Sequence, residues 1–381
     1  MRLFTAFLLI LIIMGASLSS YYVYVITTDP DDRSPLAENV YVGVTFGANT
    51  TQEGKLLVDK VKSYTNLFVI DSWPIATNET ALTELSDYVV KSGLYLMVYF
   101  AVVSHVIHPW HVSWLEMAKE RWGEKFAGVY LLDEPGGKQL DLKSWNGEIP
   151  LNATSYSEAA TQFAAGISST YSMQDLKRLG IPAFTADYGL YWFDYLAGYD
   201  AVFAEFGWNH SRPLHLGLVR GAANVQKKQW GIIITWEYLH PPYIESGPEL
   251  FRDMVTAYNA GAQYVIVFNY PQINQYGILT EEHFSAIQKF WAYIHSPLRI
   301  IRNLPRCRVA FVLPKDYGWG MRTPEDTIWG MWRPDALSPK IWQKTQALLG
   351  TYGLSLDIIY DDPDFDIRDG YAKLYFWNDV G

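Results

Sequence analysis

The sequence predicts an α/β protein: a (β/α)8 barrel followed by a small α/β domain and preceded by an N-terminal signal or membrane anchor. Three observations carry the prediction. From residue 40 onward, short β-rich apolar runs alternate with amphipathic stretches, the pattern of repeated βα units around a parallel sheet. Eight such runs occur over about 260 residues, which is the arithmetic of a closed barrel of this kind. No G-x-G-x-x-G follows the first run and no G-x-x-x-x-G-K-[ST] occurs anywhere, so the phosphate-cradling loop that marks nucleotide-binding open sheets is missing.

The first element, residues 1–28, is a membrane-engaging segment. Met1 and Arg2 precede an apolar run from Leu3 to Leu18, and nothing polar interrupts residues 6–14. Ala16, Ser17 and Ser19 suit a cleaved secretory signal, whereas the stretch counted through Val25 is long enough to span a bilayer uncleaved. Either reading puts the remainder outside the cell, secreted or held at the surface. Sequons at Asn49, Asn78, Asn152 and Asn209 agree with an exported glycoprotein. The single Cys307 excludes an internal disulfide, so stability must come from a barrel-sized core.

The barrel occupies 38–304. Its strand runs are 41–47 (YVGVTFG), 67–72, 94–101, 127–133, 182–187, 200–206, 231–237 and 263–269. Helical patterns between them cover Gln52 to Tyr64, Glu79 to Lys91, Val112 to Glu124, Ser155 to Leu179, Arg212 to Gln229, Pro248 to Ala260 and Glu281 to His295. The fifth connection, Tyr188 to Tyr199, has room for a short helix at most. The second domain, 305–381, opens with a strand at 309–313 and a loop dense in Gly and Trp. A helix follows, with Ser338 as N-cap and Pro339 in its first turn, then strands at 356–360 and 373–377.

Thirty Lys and Arg against forty Asp and Glu give a net charge of -10, which argues against a nucleic-acid partner, because phosphate recognition needs a basic face. Aromatic residues make up 16% of the chain while charged residues reach only 18%, more aromatic surface than a core requires. The excess is expected to line a cleft.

In such a barrel the active site sits at the C-terminal ends of the strands. Asp71 ends the second strand, Asp133 and Glu134 the fourth, Asp187 the fifth, Glu205 the sixth, Glu237 the seventh, and Asn269 with Tyr270 the eighth. Carboxylates crowded at one rim repel one another unless some are protonated, which is how one of them comes to act as an acid near neutrality. Trp73, Tyr188, Trp208, Trp236 and Tyr238 accompany them. A pyranose has an apolar face and polar edges, so flat aromatic platforms beside carboxylates suit a carbohydrate substrate. Single acids at strand ends also cap helices or pair with Lys and Arg; the repetition over several strands favours the sugar site. His105, His108 and His111 have helical spacing, but Pro109 makes the segment a loop, and no metal or other cofactor is expected.

The strand endings LLDEP (131–135) and ITWEY (234–238) resemble those of clan A glycoside hydrolases, (β/α)8 enzymes with an acid/base Glu after strand 4 and a nucleophilic Glu after strand 7. The resemblance implies Glu134 as acid/base and Glu237 as nucleophile of a retaining glycoside hydrolase, with Asp71, Asp187, Glu205 and Asn269 binding hydroxyls. Most clan members carry Asn where this chain has Asp133, so Asp133 is a second contender for the reactive group. The small domain is similar in element order to the one that follows the barrel in some β-galactosidases, which implies a homo-oligomer. A carbohydrate-binding or envelope protein that kept the barrel without catalysis is the alternative reading. Trp319, Trp329 and Trp332 are expected to dock the small domain on the barrel rather than to face sugar.

Overall fold

Near-continuous apolar runs mark strands buried on both faces, and a parallel sheet closed on itself and wrapped in helices is one arrangement that buries both. The computed structural model has this form. It describes residues 40–103, 108–142, 152–296, 308–368 and 370–379; the leader at 1–28, His105 and Cys307 lie outside them. Strands β1 (Tyr41–Phe46), β2 (Leu67–Ile70), β3 (Tyr95–Phe100), β4 (Phe126–Leu131), β5 (Ala183–Asp187), β6 (Ala201–Phe206), β7 (Gln229–Ile234) and β8 (Tyr264–Val267) form a closed barrel in sequence order. All neighbours are parallel, and β8 pairs with β1. On β6, Val202, Ala204 and Phe206 pack outward while Ala201 and Phe203 join Tyr130, Phe184, Ile233 and Tyr264 in a second cluster that fills the barrel. The interior is therefore packed solid, and only its C-terminal end is free for a site.

The helices are α1 (Thr51–Val61), α2 (Trp73–Ala76), α3 (Glu79–Lys91), α4 (His111–Trp122), α5 (Pro135–Leu140), α6 (Tyr156–Ser168), α7 (Tyr171–Leu179), α8 (Tyr191–Ala197), α9 (Arg212–Gln226), α10 (Gly247–Ala260), α11 (Glu281–Ile294) and α12 (Ser338–Tyr352). The pattern expected as one helix over Ser155 to Leu179 is two, α6 and α7. Ser168, Ser169 and Thr170 turn their hydroxyls onto carbonyls three residues back, and Thr170 then caps α7 by accepting from Met173 N. Gly136 to Lys138, which the sequence leaves open as a subsite loop or a plain turn, lie in the first turns of α5. Among the described residues no helix is long and apolar enough to cross a membrane.

Three parallel strands, β9 (Arg308–Leu313), β10 (Leu356–Tyr360) and β11 (Tyr371–Phe376), form a second sheet in the order β10-β9-β11. Ser338 is the first residue of α12 rather than its cap; Asp335 Oδ1 takes the Leu337 and Ser338 amides instead. Barrel helix α9 lies against β10. Gly217 and Gly221 allow the approach, since a Cβ at either would stand 2.8 Å from Leu356 O or 2.6 Å from Ile358 O. Between them Arg220 forms a buried 2.6 Å ion pair with Asp357, which Asn224 and Tyr371 also serve. Trp319 and Trp329 are buried, and Trp329 meets Phe163 and Phe193 of the barrel, so the aromatic cluster is a docking surface as expected. Barrel and small sheet form one compact unit beginning at Val40.

Candidate active site

Glu205 takes the next inward position on β6 after Ala201 and Phe203, which places a carboxyl directly on top of the packed barrel interior. It is buried and hydrogen-bonded to the Glu134 side chain. Burial first, then the charges of Glu134, Asp133 and Asp187, hold its carboxyl well above the ordinary value. Of the two carboxyl groups in contact, Glu134 is the more accessible. Asp133 accepts a 2.5 Å hydrogen bond from the Tyr130 hydroxyl, and Lys138 Nζ lies 3.6 Å from Asp133 and 3.7 Å from Glu134. Asp71 stands near Asp133, and burial together with that charge raises its carboxyl well above the usual range.

These groups surround a pocket of about 200 Å³. Tyr130, Asp133, Glu134 and Glu205 line one part of it, and Trp208, Trp236, Phe268 and Tyr270 another. Trp236 lies parallel to Tyr270, its indole N–H donating to Tyr270 O at 2.6 Å. Trp208 is aimed outward by two consecutive left-handed residues, itself and Asn209 (φ 50° and 60°), and Trp208 N is fixed to Trp236 O. Trp73, Trp208, Tyr238 and Tyr270 are all exposed, so the rim carries the aromatic surface that composition called for.

Glu237 is not among the residues lining that pocket. It faces an adjoining open groove of about 720 Å³, lined by Trp208, Glu237, Tyr238, Leu239, His240, Pro241 and Pro242, with Trp208 as the shared wall. Asn209 N donates to Glu237 Oε1 at 3.2 Å, and Arg212, the first residue of α9, lies 3.5 Å from Oε2. Arg212 also holds Glu245 and Asp253. Burial and the Asp253 charge push Glu245 up to about 8. Glu134 and Glu237 line adjoining cavities that share Trp208, and the carboxyl group that Glu134 meets is that of Glu205.

Three residues expected at the sugar face inward. Asp187 is buried and accepts from the amides of Gly136, Gly137, Tyr188 and Gly189, which ties α5 to β5. It adjoins buried Asp194, whose carboxyl is raised well above its usual value by burial and by Asp187; Asp187 itself is pushed up to about 7. Tyr188 is buried and donates to Asp141. Asn269 braces the loop after β8, donating to Tyr276 O and accepting from Ile278 N. Tyr130 and Arg212 escaped the sequence reading. Inward alternation along β4 points to Tyr130, which lies three residues before Asp133, whereas nothing in the sequence marks Arg212. His108 and His111 have rings 4.5 Å apart, and burial lowers His111 to about 4; among the described residues no cluster suits a metal ion.

No family model matches the chain, and no curated protein is similar in sequence. Solved structures are similar in fold. The catalytic module of a family 98 glycoside hydrolase from Streptococcus pneumoniae, complexed with an H-disaccharide blood group antigen, aligns with TM-score 0.51 at 11% identity over 90% of this chain and 66% of that one. Alpha-L-fucosidase isoenzyme 2 from Paenibacillus thiaminolyticus gives 0.48 at 12% identity, covering 88% of this chain and 59% of that one. Orotidine 5'-monophosphate decarboxylase from Methanocaldococcus jannaschii gives 0.37 at 10% identity, covering 68% and 99%. The chain spans about two-thirds of the family 98 module, and at such identities the likeness establishes the (β/α)8 barrel alone.

Proposed function

We propose that the protein is an exported glycoside hydrolase that cleaves O-glycosidic bonds of an oligo- or polysaccharide. One observation carries the reading: the Glu134 and Glu205 carboxyl groups meet inside a pocket walled by Trp208, Trp236 and Tyr270 at the barrel mouth. A glycosidic oxygen needs a proton as it leaves, and an acid that keeps one near neutrality must be buried or set against another carboxyl. The fold is one that a family 98 glycoside hydrolase uses. The leader favours export, and the sequon asparagines at 49, 78, 152 and 209 are all exposed, as glycan attachment requires.

Glu134 protonates the leaving oxygen, with Glu205 as the buried partner that supplies and retakes the proton. Asp133 is the second carboxylate: it lines the same small pocket, whereas Glu237 faces the neighbouring groove. Two carboxyls confined together favour the short separation, about 5–5.5 Å, of a retaining double displacement. Asp133 attacks the anomeric carbon, Glu134 gives its proton to the departing oxygen, and Glu134 then takes a proton from the water that releases the sugar. Hydrolysis of a glycan panel tests this. Glu134→Gln and Asp133→Asn are each expected to lower kcat by about 10²–10⁴-fold, and NMR of the first product is expected to show the substrate's own anomer. Full activity in Glu134→Gln sinks the proposal; inactivation by Glu237→Gln but not by Asp133→Asn transfers the second role to Glu237.

A further inference from the structure

Helix α5 begins immediately after Glu134, and its Lys138 N donates to Glu134 O at 2.8 Å. Glu134 itself sits at φ 53°, a left-handed conformation that a non-glycine residue keeps only when its surroundings impose it. The direction of its carboxyl therefore depends on how α5 is held. From the barrel side Asp187 takes the Gly136 and Gly137 amides. From the other side α5 is gripped by the Gly- and Trp-rich loop 314–337 of the small domain.

That grip is extensive. Gln139 Nε2 donates to Trp329 O at 2.7 Å, and Thr327 Oγ1 donates to Leu140 O at 3.0 Å. Gly330, at φ 70°, presses so close that a Cβ there would stand 2.1 Å from Gln139 O. Arg322 is held by Asp326 through two parallel bonds of 2.7 and 2.8 Å, and its remaining Nη1 reaches Asp141 Oδ1, just past the end of α5, at 2.9 Å. The other Asp141 oxygen takes the Tyr188 hydroxyl, and the Arg322 guanidinium lies 5.5 Å from the Tyr188 ring centroid. Backbone, side chain and charge thus converge on one six-residue helix from a segment nearly two hundred residues away in sequence.

We propose that this clamp sets the Glu134 carboxyl against Glu205, with Arg322 as its positioning residue, so that the small domain is a working part of the active site. The proposal rests on Glu134 being the reactive acid. It is tested on the full chain with Arg322→Met and Asp141→Asn, which open the contact from opposite sides. Arg178→Met is the control, because its ion pairs with Glu116 and Asp175 touch neither α5 nor the loop.

Amide exchange over residues 135–141 is expected to quicken at least tenfold in both variants, with the barrel strands as protected as before. On a hydrolysed glycan kcat is expected to fall at least tenfold with KM within twofold, and Arg322→Lys is expected to recover part of the loss. Carboxyl-carbon NMR is expected to show the Glu134–Glu205 titration midpoint displaced by half a unit or more in both variants and unmoved in the control. Unchanged exchange, or faster exchange with the midpoint unmoved, overturns the proposal. If the wild-type chain hydrolyses nothing, the functional reading fails, while exchange and titration still decide whether the clamp positions Glu134.

Discussion

Glu205 owes its properties to one step of strand alternation: the position above Phe203 faces the barrel axis, where water is scarce and Glu134 waits. The buried neighbours Asp187 and Asp194 make a measurable prediction. Burial, and after it the Glu134 charge, raise Asp187 to about 7 in the folded chain against an ordinary value near 3.8, so between those pH values the native state holds a proton that the unfolded chain has lost. The stabilisation is full below the unfolded value and disappears as pH rises through the folded one. Asp194→Asn removes the neighbouring carboxyl and offers Asp187 an amide donor, which is expected to lower its folded value. Urea midpoints at pH 5 and pH 8 are expected to differ less in the variant than in the wild type, and an equal difference refutes the pairing. Residue identity alone does not separate such inward acids from outward ones. Places at strand ends point to Asp133, Glu134, Glu205, Trp208, Trp236 and Tyr270, which line the pocket, and equally to Asp187 and Asn269, which instead satisfy backbone groups of their own loops. A polar side chain at a strand end has two possible clients, the next turn or a ligand, and only the loop's path decides between them.

At the scale of elements, the eight strands and the long helices follow from periodicity, because period and burial state the same fact. What periodicity does not see is local competition. The helix expected from Ser155 onward breaks where three hydroxyl residues in a row, Ser168 to Thr170, bond back to the backbone. The two-glycine start of α5 reads as a loop or turn because its helical order comes from Asp187, fifty residues later. The β6–α9 connection makes the aromatic platform: its left-handed Trp208–Asn209 step turns the indole outward between the two cavities. Trp208→Ala is expected to weaken oligosaccharide binding to a Glu134→Gln background by about tenfold, the scale of one aromatic contact. Calorimetric titration checks this, and unaltered affinity removes Trp208 from the sugar path.

For the whole molecule, the decisive contact is α9 against β10. Arg220 and Asp357 are 5% and 0% exposed, and breaking such a pair strands a charge in the interior. Arg220→Met is expected to cost about 3–5 kcal/mol in chemical denaturation, and adding Asp357→Leu is expected to return part of it, since the stranded carboxylate rather than the lost bond accounts for most of the penalty. Both barrel and small sheet are expected to melt in a single transition, and two separated transitions overturn the view that they share one core. The division at 305 expected from composition marks a change of topology, and the core runs across it. Helix α9 is walled by β6 and β7 on one side and β10 on the other, which gives it a history as well as a place. On the ribosome its outward glycine face stays bare until residues near 360 have emerged, some 140 positions after it was made. The nascent barrel is therefore expected to expose that stripe until β10 arrives to cover it.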